Sequence, residues 1–459
     1  MNNQSQTVVR LRDCNAQRIK ALLKGHYALI GILLGSVLLS VSLGPYSNWD
    51  SQLEFSAAKG VVEWGFPYVT YGHLMNQPPL GFYVDAIFLK IFGVSYETAV
   101  YANTLFAIGG VFLTYKIGKE LYGKRTGLFA AALLALAPWQ VIMSRVYLVD
   151  VQCLFLSLLY LLIGVYAIRK GSRKLYFAAG LIFGFAFLTK VFAVFMLIPL
   201  ALLYAYSKPK GTRQTVENIA LFVFPALIIQ YLWYGPITDG RGLLSLVKHE
   251  DMFAFLPQGF GPSPFFQLNF LVEALGIFFI AGLCISLVVS FLQRRQLSKI
   301  LVFDSAFFVS VVGVFGLSFF LVFGINLQVP YVNSIKYSYL TLPLFCLLAA
   351  SAAKKCSIVA KRKQAFGRRH ELAVYLAAVG PYLFLVSMVF NFISLTTMLK
   401  YNWLTYNVPG GLSYSFDRLP SVFESSTFFW SFQLLGFLLI NLGLLWSNRS
   451  KLQSLFSAL

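Results

Sequence analysis

Charge is what this 459-residue chain has least of: 12% of it is Asp, Glu, Lys or Arg, with only 17 acids and four histidines. A soluble domain carries about 25%. Hydrophobic residues make up 58%, and apolar runs of about 17–25 residues, the length that crosses a bilayer, recur to the last residues. A soluble fold is excluded, and the fold class read here is an all-α polytopic membrane protein of about 12 transmembrane helices. The runs are continuous and do not alternate, which excludes a β-barrel. The five cysteines form no CxxC pair and none falls in an outer loop, so neither a disulfide framework nor a Cys-based zinc site is expected. No small-residue cleavage site follows the apolar run Tyr27–Leu43, which reads as an uncleaved first span. No inner loop is long enough for a nucleotide-binding domain, and no internal repeat is apparent.

What remains is mostly positive: 37 Lys and Arg and a formal charge of +20. In a soluble protein that balance would point to nucleic acid. Here the cations sit in short loops between spans, where they set topology, and no nucleic-acid partner is expected.

The first span, about 27–44, leads outward from a basic N-terminus (1–26). The next decision is whether Pro79–Gly93 crosses. It is apolar but short, and it holds Asp85 and Lys90. With this segment lying in the interface, 28 of the 37 Lys and Arg fall on the inner side. With it crossing, nearly all of them move outside, against the positive-inside rule. The reading is therefore one long outer loop, 45–95, containing interfacial helices. A core of spans over 27–353 follows, with a second outer loop at 236–268. A basic cytoplasmic loop (354–372) and C-terminal spans (373–459) complete the chain, with both termini cytoplasmic, in what reads as a prokaryotic plasma membrane.

Twelve of the 17 acids fall outside or at the outer rim. Acids contribute little to topology, so insertion does not explain the excess, whereas an outer-face site would. Asp50, just beyond the first span, could act as a general base or simply begin a helix. Arg145 and Asp150 share a tight outer turn, where they could hold and orient a phosphate or merely pair with each other. Lys190 and Lys336 stand at span ends, where snorkelling to headgroups is the alternative to binding an anion. Glu54 and His73 lie in the first outer loop. His249, Glu250 and Asp251 are the candidate ligands for a divalent metal, against the plainer reading of a solvated acidic loop.

The stretches WDSQLEFSAAKGVVEWGFPYV (49–69), NQPPLGFYVDAIFLKIFG (76–93), SRVYLVD (144–150), FLTK (187–190) and KYSYLTLP (336–343) occur in a telling order. Together they resemble the GT-C class of membrane glycosyltransferases, and within it the protein mannosyltransferase and lipid A aminoarabinose transferase family, over about 27–350. The resemblance implies transfer of a sugar from a polyprenyl-phosphate-linked donor to a protein, lipid or glycan acceptor at the outer face. It implies Asp50 as base, and Arg145, Lys190, Lys336 and Tyr337 on the donor phosphate. Asp150, Glu54, His73 and Gln77 support them. No cofactor is required by this reading, and a divalent metal is left open. Two positions depart from the family pattern: Ser51 stands where Glu is frequent after the Asp, and Gln77 stands where a basic residue precedes the Pro-Pro pair. A transporter or lipid flippase is the rival class. It would place polar residues or broken helices near the midplane, often in two related halves.

Overall fold

A computed structural model describes residues 26–42, 44–47, 49–70, 73–75, 77–207, 211–237, 275–292, 338–361, 371–401, 406–408, 412–414, 417–418 and 426–447. These residues are mostly helical. Helix α1 (His26–Ser42) is followed by the two-residue strand β1 (Tyr46–Ser47) and by α2 (Trp49–Trp64). A short hairpin, β2 (Tyr68–Thr70) and β3 (His73–Leu74), leads into α3 (Leu80–Phe92). Then come α4 (Tyr96–Tyr122), α5 (Lys124–Ala135), α6 (Pro138–Met143), α7 (Val149–Lys170) and α8 (Arg173–Thr189). A 3-10 stretch (Val191–Met196) precedes α9 (Leu197–Tyr206) and α10 (Thr212–Ile237). Beyond them are α11 (Ile277–Leu292), a 3-10 turn (Ser338–Thr341), α12 (Leu342–Lys361), α13 (Glu371–Tyr401), the strands β4 (Tyr406–Val408), β5 (Leu412–Tyr414) and β6 (Asp417–Arg418), and α14 (Ser426–Ser447).

Four of these helical stretches are long and apolar enough to cross a membrane: Tyr96–Tyr122, Val149–Lys170, Thr212–Pro236 and Tyr339–Ile358. Shorter apolar helices occupy His26–Ser42, Val191–Tyr206, Ile277–Val289, Val379–Ile393 and Ser431–Leu445. Another of the long apolar runs, 303–325, lies outside the described residues. Two further apolar runs are interrupted. That at 127–143 breaks at Leu136–Ala137, because Pro138 has no N–H to continue the ladder and instead opens α6. That at 191–206 begins as a 3-10 helix and becomes regular at Leu197.

The first outer segment folds as a subdomain of its own. Helix α3 starts after Pro79 and stops at Gly93, whose φ of 101° suits glycine. Ala57, Ala58, Met75, Phe82, Leu89, Ala99, Val100, Tyr147 and Val149 form a buried cluster separate from the main core. The opposite face of α3 exposes Ile87, Ile91 and Phe92. A helix with one face packed and one face apolar and exposed suits the membrane interface. Helix α4 starts cleanly, because the Ser95 hydroxyl accepts from the Thr98 N–H at 3.1 Å.

The two ends of the described chain meet. Helices α1 and α14 cross at Gly35 and Gly436, where an added Cβ on Gly35 would stand 2.4 Å from the Gly436 carbonyl. Close backbone approach through small residues is how membrane helices gain packing without a hydrophobic driving force. On the same side β1 pairs antiparallel with β6, Tyr46 opposite Arg418 and Ser47 opposite Asp417.

Candidate active site

The turn between α6 and α7 is the hub of the site. Its carbonyls are taken by α4: Asn103 Nδ2 donates to Val146 O (3.0 Å) and Leu148 O (2.8 Å), and Thr104 Oγ1 donates to Ser144 O (2.7 Å). Tyr46 N donates to Arg145 O (2.8 Å), which docks β1 on the same turn. The Tyr96 hydroxyl donates to Tyr46 O (2.7 Å), lies 2.8 Å from Ser51 Oγ and accepts from Tyr147 N (3.3 Å). One phenol thus ties β1, α2 and the turn together.

Against this frame lies a buried ion cluster. Lys190, at the end of α8, bonds Asp150 in the first turn of α7. Its Nζ also stands 4.0 Å from Glu54 Oε1. Glu54 Oε2 accepts from Val149 N at 2.9 Å, so this carboxylate caps α7 as well as facing the lysine. All three side chains are buried. Two carboxylates around one ammonium leave an excess of negative charge, a costly arrangement without further positive charge or protons nearby.

Asp50 is in the first turn of α2 and 9% exposed. It precedes Glu54 by four residues, so the two share a helix face at about 5–6 Å between Cβ atoms. Asp50 lies within the first turn of α2, where a carboxylate also complements the helix dipole.

Arg145 is 1% exposed, with its guanidinium donating to Thr104 Oγ1 (3.2 Å) and lying 5.1 Å from the Tyr101 ring centre. Burial lowers its pKa, opposed chiefly by Tyr101. Mutual pairing with Arg145 is one of the two readings of this turn; Asp150 instead pairs with Lys190. His73 is exposed on the hairpin and Gln77 is half-buried. Among the described residues no hydrogen bond or ion pair links either to the cluster. Lys336, Tyr337, His249, Glu250 and Asp251 lie outside the described residues. The turn that follows Lys336 does reach the site: Tyr339 donates to Gln140 Oε1 (2.8 Å) and is within electrostatic range of Asp150. Among the described residues no group of three or more His, Cys, Asp or Glu is arranged to hold a metal ion.

A further buried carboxyl, Asp85 on α3, is not among the site residues read from the sequence. Asp85 Oδ2 accepts from Gln152 Nε2 of α7 at 2.5 Å. The Tyr147 hydroxyl lies beside the same carboxyl group, close enough to stabilise its charge but outside regular hydrogen-bond geometry. Burial pushes the Asp85 pKa up to about 8, offset partly by Tyr147 and Gln152, with Glu54 pushing it further up. Burial likewise raises Tyr147 well above an ordinary phenol. The available signal for this pair was Gln152, an amide in an otherwise apolar run, since polar groups inside membrane helices rarely lack a partner.

Comparison with known proteins follows the same geography. Residues 76–234 match the family model described as dolichyl-phosphate-mannose-protein mannosyltransferase. That segment holds Arg145, Asp150 and Lys190, whereas Asp50 and Glu54 precede it. Two Bacillus subtilis (strain 168) proteins are similar: "Putative mannosyltransferase YycA", 28% identical over 205 residues, and "Putative mannosyltransferase YkcB", 30% identical over 183. The matched stretches are 42% and 38% of this chain but only 29% and 26% of those relatives. Among solved structures, ArnT from Cupriavidus metallidurans bound to undecaprenyl phosphate superposes with a TM-score of 0.52 at 15% identity, over 92% of this chain and 77% of ArnT. The fold is that of the GT-C glycosyltransferases. A second GT-C structure, the oligosaccharyltransferase AglB from Archaeoglobus fulgidus in complex with an inhibitory peptide and a dolichol-phosphate, gives a TM-score of 0.53 at 15% identity. That match covers 85% of this chain and 59% of AglB.

Proposed function

We propose that this GT-C chain is an integral-membrane glycosyltransferase that moves a sugar from a polyprenyl-phosphate-linked donor to an acceptor hydroxyl at the outer face. The observation that carries the reading is the buried Lys190–Asp150–Glu54 cluster one helical turn from Asp50. It sits where the outer loop meets the segment that matches the mannosyltransferase family. The solved neighbours whose titles name undecaprenyl phosphate and dolichol-phosphate support the donor class.

Sugar transfer needs a base on the acceptor hydroxyl and positive charge at the departing phosphate. Asp50 supplies the base. Lys190 supplies the charge: an incoming phosphate competes with Asp150 for the ammonium, so donor binding exchanges one anionic partner for another. Lys336 and Tyr337, which precede in sequence the turn that contacts the site through Tyr339, are proposed to join Lys190 on the donor phosphate. Arg145 adds positive potential from behind the turn and reaches a phosphate directly only by leaving Thr104. The acceptor is a protein, lipid or glycan hydroxyl, and the exposed edge of the outer loop is where it approaches.

The test is transfer of radiolabelled mannose from polyprenyl-phosphate mannose in membranes, alongside binding of undecaprenyl phosphate to the purified protein. Asp50→Asn abolishes transfer while the lipid phosphate still binds, and Lys190→Ala loses both. Full transfer by Asp50→Asn removes Asp50 as base. Flux of a lipid substrate across reconstituted vesicles without any sugar transfer replaces this reading with the flippase class.

A further inference from the structure

We propose that Asp85 is a positioning residue of the site: through Gln152 it fixes the interfacial helix α3 on the end of α7 that carries Asp150. The inference rests on the glycosyltransferase reading for what the site binds, and on geometry alone for what Asp85 does.

Three observations converge. The packed face of helix α3 is otherwise apolar, with Lys90 on the exposed side, yet Asp85 is fully buried there, where an acid costs stability unless something requires it. One turn earlier on that face is Gly81. An added Cβ there would stand 2.6 Å from Val149 Cγ1 and 3.3 Å from Gln152 Oε1. The glycine therefore presses α3 on the first turn of α7, and the Asp85–Gln152 bond latches it. Val149 is also the residue whose N–H Glu54 accepts, and Asp150 is the next residue. Any slip of α3 along α7 is felt directly by the groups around Lys190.

The groups that face Asp85 are Glu54 from α2, Tyr147 from the turn and Gln152 from α7, with Lys190 a step further at the end of α8. The residues of α4 that pack there are Ala99, Val100 and Tyr96, and none of them carries a positive charge. With Lys190 already between Glu54 and Asp150, no cation remains in this set to balance a third carboxylate. Asp85 is accordingly held as a neutral acid at neutral pH, in agreement with a pKa near 8. In that form one oxygen accepts from Gln152 and the other, protonated, can donate to the Tyr147 hydroxyl. Loss of the proton adds a negative charge beside Glu54 and repels α3 from the cluster.

The experiment measures binding of undecaprenyl phosphate to the full-length protein at about pH 7 and about pH 9, the two sides of the expected transition. Asp85→Ala weakens binding on the order of tenfold, the scale on which outer partners tune a site. Asp85→Asn, which can still accept from Gln152 and donate towards Tyr147 but cannot ionise, rescues it. The parent loses affinity towards the higher pH, and Asp85→Asn does not follow. Parent-like binding by Asp85→Ala, or the same pH response in the parent and in Asp85→Asn, overturns the proposal. An infrared arm is independent of the donor. At about pH 7 the parent shows a protonated-carboxyl stretching band that is missing in Asp85→Asn and shifted in Gln152→Leu. If no lipid phosphate binds to any form, the donor reading falls and the infrared arm decides alone: a band present and shifted supports the latch, and its absence overturns it.

Discussion

The chain builds ion pairs at both ends of its helices, and the two sets behave as different objects. At one end Arg169 meets Glu120 at 3.0 Å, and Arg173 and Arg213 share Glu217, all with substantial exposure. At the other end Lys190, Asp150 and Glu54 are buried. The exposed pairs are solvated and screened, and each contributes at most about 1 kcal/mol. The buried cluster gains more from attraction but pays desolvation for three charges, so it is poor value as a device for stability alone. A fold that retains such a cluster next to an acidic helix end, while leaving its other pairs in water, holds its costliest charges at the site proposed for sugar transfer.

Substitutions can test that contrast, starting with the largest effect. Lys190→Met leaves two carboxylates buried without their cation and should cost about 3–5 kcal/mol, seen as a lower thermal midpoint in detergent. Adding Asp150→Leu should recover much of that stability but not lipid-phosphate binding. Recovery of both would make the cluster purely structural. Next is Gly81→Ala, whose methyl overlaps Val149, with an expected loss of about 1–3 kcal/mol. A neutral result would mean that α3 is not held tightly on α7.

The pH dependence of stability comes third. The Asp85 carboxyl has a native pKa near 8 against about 4 in an unfolded chain. Between those values the native state binds one more proton than the unfolded state, so stability is fully present below about pH 4 and is lost as pH rises to about 8. Asp85→Asn should flatten that part of the profile in thermal melts across pH. The smallest effect is Arg169→Ala among the exposed pairs, expected to stay within about 1 kcal/mol and to shrink further with salt. A loss as large as that of Lys190→Met would erase the distinction between the two ends.

Much of this was legible in the sequence, and the boundary is a physical one. The segment 79–93, expected to lie in the interface, is a helix over Leu80–Phe92, as its Pro and Gly punctuation suggests; its side of the membrane is read from the charge pattern alone. Asp150 and Lys190 stood out as charges at the ends of apolar runs. Their pairing did not, since Arg145 was nearer in sequence and only packing sends it to Thr104 and Tyr101. Gln152 and Asp85 were hidden for a related reason: each looks like an isolated polar residue until two helices are laid together. The pairing of β1 with β6 was invisible, because strands of two residues carry no alternation to read.

That pairing has a consequence for how the protein is made. The strand Tyr46–Ser47 is made about 370 residues before its partner Asp417–Arg418. At about 5–20 residues per second, tens of seconds separate the two. The strand edge next to Asp50 is thus closed only after Asp417–Arg418 has been made, and until then β1 lacks the partner that pairs with it.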